Sequence, residues 1–135
     1  MKLSLDNWTG NRVTFSETPH PTPAQVLGAV HQLDGKVHTE VSLTRDAPDE
    51  EWESLTISGG PDYFLVSGEA RDGSFVQLTT PGAPTGQTVS LVCGGQLSEF
   101  ALRDIVTGDK ILAVIQQFFD GLSNSLPAPW VVEVS

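Results

Sequence analysis

Positive charge is scarce in this chain: 7 Lys and Arg stand against 17 Asp and Glu, a formal net charge of −10. A surface that acidic repels nucleic acid and anionic membrane, which argues against both as partners and suits a basic protein instead. Solubility by itself is an equally good reason for acidity. Cysteine is nearly missing too. Cys93 is the single one, so no intramolecular disulfide is available. Its place in the apolar run Val89-Ser-Leu-Val-Cys93 predicts a small buried thiol rather than a reactive one. No apolar run reaches membrane-spanning length and no signal-peptide pattern is present, which predicts a cytoplasmic protein.

Enzyme signatures are absent as well. There is no phosphate-binding glycine loop ending in Lys-Ser/Thr, no Gly-x-Ser-x-Gly elbow and no Cys-x-x-Cys. Three scattered histidines and one cysteine offer no metal-ligand spacing, so no metal or cofactor is expected. His20 lies among prolines, His31 on the flank of a helix and His38 on the polar face of a strand. Gly94-Gly95-Gln96 matches the tripeptide of peptide-release factors, but its apolar and acidic flanks do not suit a ribosomal partner. A turn or bulge in a strand is the simpler reading of the two glycines.

What is present is a chain of 135 residues, expected to be one domain (1–135) with a single core. Val89 to Trp130 is its organising stretch: a buried strand, a glycine turn, a second strand, an amphipathic helix and a return to the sheet. Thr107 is placed to cap that helix, with Asp109 in its first turn. Ile111, Leu112, Val114, Ile115, Phe118 and Phe119 form the apolar stripe, and Gly121 ends it. The N-terminal residues carry weak strand character around the turn-prone Asn7-Trp8-Thr9-Gly10-Asn11, a short hairpin or edge strand. Thr22-Pro23 opens a short helix whose face is Val26, Leu27, Val30 and Leu33 and which ends near Gly35. Val37, Thr39, Val41 and Leu43 alternate as a half-buried strand, and Leu55 and Ile57 open another. Asp72-Gly73 is the best hairpin signal, between Tyr63–Val66 and Phe75–Leu78. Trp130 to Val134 closes the list. The class predicted is α+β, an antiparallel sheet of about five to seven strands packed against two helices.

Two features bear on function. Asp46 to Glu53 carries five carboxylates with no basic residue, and reads either as a solvated loop or as an electrostatic contact surface anchored by Trp52. Pro61-Asp62 followed by Glu69-Ala70-Arg71 loosely resembles a nuclease pattern in which Asp62 and Glu69 would bind Mg²⁺. Arg71 stands where that pattern has Lys, and a guanidinium cannot lose a proton to act as a base.

From Leu55 onward the chain resembles the Imm-one family of bacterial immunity proteins, which protect cells from polymorphic toxins. The matching features are Leu55-Thr-Ile-Ser-Gly59, Tyr63-Phe-Leu-Val66, Gly94-Gly95-Gln96-x-Ser98-Glu99-Phe100, Val106, the helix with Phe118, Gly121 and Pro129-Trp130. The resemblance implies a non-catalytic inhibitor that blocks the active site of a cognate toxin domain, a nucleic-acid deaminase or nuclease. The free protein would be a monomer and the complex a 1:1 heterodimer. Acidity agrees with it, since toxins acting on nucleic acid present basic clefts. Asp49, Glu50, Glu51, Trp52, Glu69 and Asp72 are the candidate contact residues. The rival expectation is a small metal-dependent hydrolase using Asp62 and Glu69.

Overall fold

The structure, a computed structural model, describes residues 1–46, 52–70, 73–120 and 130–134. It is α+β, with one large antiparallel sheet backed by two helices. The strands are β1 (Lys2–Thr9), β2 (Arg12–Pro19), β3 (Glu40–Thr44), β4 (Trp52–Gly59), β5 (Tyr63–Ala70), β6 (Ser74–Leu78), β7 (Thr88–Cys93), β8 (Gln96–Ala101), β9 (Val106–Thr107) and β10 (Trp130–Val134). The helices are α1 (Pro23–Val30) and α2 (Ile111–Asp120). Sheet order is β10-β6-β5-β4-β3-β1-β2, and the short β9 pairs with β5 beyond the end of β6. β7 and β8 form a hairpin of their own.

Register explains the two faces. Residues paired across neighbouring strands share a face, so Leu3, Leu43, Leu55, Gly68 and Val76 form one transverse row. Leu5, Val41, Ile57 and Val66 form the next. Both rows are buried, and onto them pack Val26 and Val30 of α1 and Ile111, Val114, Ile115 and Phe118 of α2. The intervening rows point the other way and are small and polar, for example Glu17, Ser4, Ser42, Thr56, Ser67 and Gln77.

α1 begins as predicted. The Thr22 hydroxyl accepts from Gln25 N at 3.2 Å and the Gln25 side chain accepts from Thr22 N at 2.9 Å, a reciprocal cap. It stops at Val30, earlier than expected, although Leu33 is buried in the same core. His31 is the exposed C-cap residue. Asp34 accounts for the following loop: its Oδ1 accepts from the N–H groups of Lys36, Val37 and His38 at 2.9 to 3.1 Å. That turn postpones β3 to Glu40 and leaves Val37 exposed, whereas alternation alone placed Val37 in the strand.

Three further expectations are corrected. The run Val89–Cys93 is no buried strand; within β7 only Leu91 is buried, because the hairpin lies outside the sheet and meets it on one side. Thr107 does not cap α2 directly. A single 3₁₀ turn, Gly108–Lys110, intervenes, and the Thr107 hydroxyl donates to the Asp109 carboxylate instead of receiving a helix N–H. Leu112 lies outside the apolar stripe, exposed, whereas Phe119 is partly buried against the core. Gly121 falls outside the described residues. No helix among the described residues is long and apolar enough to cross a membrane.

Candidate functional site

Of the residues expected to meet a partner, Asp49, Glu50, Glu51 and Asp72 lie outside the described residues, as does the Trp52 ring. Their flanks are placed. Trp52 opens β4 directly opposite Ala70, the last residue of β5. The end of β3, the start of β4, the end of β5 and the start of β6 therefore lie at the same end of the sheet. Asp46 and Glu53 are exposed there, as is Glu69. Glu69 pairs in register with Ser54 on one side and Phe75 on the other. The Phe75 ring is 41 % exposed, on the face turned away from the helices.

An exposed ring and a carboxylate on neighbouring strands make a surface that could take a cation. A cross-strand pair holds Cβ atoms about 4.5–5.5 Å apart, so a Lys or Arg laid over the Phe75 ring would find the Glu69 carboxylate within reach. Ring and carboxylate attract the same charge. The Asp46 carboxyl is held below its ordinary range by its hydrogen bond from the Met1 ammonium.

Asp62 and Glu69 are not brought together. Asp62 lies in the turn before β5 and Glu69 near the far end of that strand, about 20 Å or more away at strand rise. A single ion with ligands at about 2.0–2.6 Å cannot bridge them. Among the described residues no three His, Cys, Asp or Glu side chains gather as a metal site.

At the opposite end lies a polar cluster that sequence reading missed. The β1–β3 ladder stops after Leu5↔Val41, and there the buried Asp6 carboxylate replaces the missing strand contacts. It accepts from Thr39 N at 2.6 Å, Glu40 N at 3.0 Å, Trp8 Nε1 at 2.8 Å and the Thr39 hydroxyl. The Thr39 oxygen in turn accepts from Gly95 N at 2.9 Å, which ties the β7–β8 hairpin to the sheet. Gly95 has φ +80, and a Cβ there would collide with the Trp8 ring. His38 Nδ1 lies 2.7 Å from the Asp6 carbonyl oxygen, so His38 is half-buried and held, not simply on a polar face. Cys93, at the hairpin tip, is half-buried rather than enclosed; burial, and secondarily the charge of Glu40, push its thiol up to about 11. The cluster is scaffolding: it positions the hairpin and offers no open acid or nucleophile.

A signal for it did exist. Gly-Asn between two alternating segments is a two-residue hairpin turn, and extending both strands from it puts Asp6 and Trp8 inside β1 instead of a loop.

Comparison of the chain with family models, with curated proteins and with solved structures returns no match.

Proposed function

We propose that this chain is a non-catalytic inhibitor that binds a basic, nucleic-acid-acting toxin domain one to one and covers its active site. This is the role implied by its likeness to Imm-one immunity proteins. The observation that carries the reading is the acidic sheet end, where exposed Phe75 stands beside Glu69 on a chain of net charge −10. A basic catalytic cleft presents the complementary potential, and association under such attraction is fast and salt-sensitive. Asp46 and Glu53 extend the acidic rim; Asp49, Glu50 and Glu51 fall between them in sequence, and Trp52 opens β4.

The test is neutralisation. The chain is co-expressed in bacteria with the toxin domain encoded immediately upstream of its gene, and survival is scored beside binding kinetics of the purified pair. Protection with a stable complex is expected. Glu69→Lys should slow association several-fold, and Phe75→Ser should speed dissociation about tenfold or more if the ring is an anchor. Survival no better than with an empty vector would overturn the proposal.

A further inference from the structure

Strand β2 is the last in the sheet, with β1 on one side and nothing on the other among the described residues. Its turn fixes which backbone groups are free. Gly10 at φ +64 and Asn11 form a two-residue connection with Thr9 opposite Arg12, the pattern of a type II′ hairpin. That closing pair exchanges both hydrogen bonds, and bonded pairs then alternate along the ladder. Arg12, Thr14, Ser16 and Thr18 therefore bond inward to β1. The N–H and C=O groups of Val13, Phe15 and Glu17 point out past the edge. The same alternation is seen on the other side of β1, where Trp8 N donates to Val37 O at 2.8 Å.

Such an edge is normally blunted by a bulge, a proline or inward charge. β2 has eight successive pairs without a bulge, and its only proline is the last residue. Its two faces are distinct. On one, Phe15 is 59 % exposed and Val13 37 % exposed, with Val13 opposite Trp8. On the other, a groove of about 480 Å³ separates β2 from α1, floored by Leu3, Leu5 and Ala29 and walled by Ser16, Thr18 and Gln32.

We propose that β2 is a strand-addition edge, which takes an extended segment of the basic partner through the outward groups of Val13, Phe15 and Glu17. Main-chain bonds supply affinity and alternate side chains supply specificity in this mode of recognition. Apolar residues of the added strand lie against Val13 and Phe15. Residues between them project beside the groove, where a long basic side chain lays its stem on the apolar floor and its donors on the Ser16, Thr18 and Gln32 walls, with His38 also lining the groove. A second copy as occupant would bring −10 against −10, whereas a basic segment is attracted. The identity of the partner rests on the inhibitor reading; the edge itself does not.

The probe is an end-blocked eight-residue peptide of alternating valine and arginine, with valine–glutamate as control, followed by amide exchange and anisotropy. Saturating peptide should slow exchange at Val13, Phe15 and Glu17 about tenfold or more and leave Thr14 and Ser16 unchanged, since those are already bonded. Phe15→Pro deletes one outward donor and is tolerated at an edge; it should weaken binding more than Phe15→Ser, which keeps the N–H. Glu17→Pro repeats the test at a second outward position should Phe15→Pro melt early. No slowing at the three amides, or proline variants that bind as tightly as Phe15→Ser, overturns the proposal. So does equal binding of the acidic peptide, or a dimer in sedimentation whose edge amides are protected without peptide. Peptide binding without toxin neutralisation removes the inhibitor reading alone. Neutralisation undiminished in folded Phe15→Pro removes the edge alone.

Discussion

Asp6 shows how much one side chain can organise. Its carboxylate satisfies two backbone N–H groups, an indole N–H and a hydroxyl in a buried setting. Asp6→Ala leaves those donors unpaired at about 1–3 kcal/mol for each one that stays dry. A loss of at least about 3 kcal/mol in urea denaturation is expected, with faster exchange in the β7–β8 hairpin. A loss under about 1 kcal/mol would show that water replaces the carboxylate. Cys93 sets a pH dependence. Its thiol pKa rises from the ordinary 9.0 to about 11, so between those values the folded chain holds a proton that the unfolded chain releases. That contribution to stability is complete below pH 9 and lost as pH climbs through about 11. Cys93→Ser should flatten the alkaline limb of the melting curve. Alkylation of native Cys93 should stay slow at pH 8 and accelerate only toward the raised value.

At the scale of elements, α2 carries the core. Phe118 is fully buried, and the Arg45 guanidinium stacks over its ring at 4.4 Å while donating to the Phe118 carbonyl. Phe118→Ala should cost about 3–5 kcal/mol, read as a fall in the denaturation midpoint; less than about 1 kcal/mol would mean that the core closes over the gap. This helix was legible because its period is long and its apolar stripe wide. So were the Thr22 cap and the antiparallel β5–β6 pair. What alternation could not show was where β7 and β8 lie. A run such as Val-Ser-Leu-Val-Cys suits a central strand, but it pairs only with β8, and Leu91 against Gly59 with Gly95 against Trp8 and Thr39 dock the hairpin on the sheet from outside. The acidic stretch was legible as charge, but that its strand end lies beside the end of β5 depends on Trp52 facing Ala70, a long-range register. The free edge of β2 was hidden for the same reason: strand order is a property of pairing, not of pattern.

For the whole molecule, charge acts in two opposite ways. At −10 the carboxylates repel one another, which lowers the stability of the free protein, and they attract a basic partner. Both effects are screened over about 8–10 Å near physiological salt and reach about 30 Å at 0.01 M. Raising NaCl from 10 to 150 mM should therefore increase the melting temperature of the free chain and, on the inhibitor reading proposed above, slow its association with a basic partner. Scanning calorimetry and stopped-flow mixing read the two. A melting temperature that falls with salt would mean that local ion pairs such as Lys2–Glu17, at 3.4 Å, outweigh the general repulsion.

The placement of α2 after the β7–β8 excursion also sets a schedule for synthesis. β1 to β5 leave the ribosome first, with Leu55, Ile57, Phe64 and Val66 already aligned on one face. α1, already made, covers part of that face, but α2, which covers the rest, follows roughly 45 residues later, about 2–9 s at ordinary elongation rates. For that interval the nascent sheet is greasy on one side and open along β2, so a chaperone meeting the emerging chain finds its binding surface there, and slowed translation across residues 80–110 would lengthen the exposure.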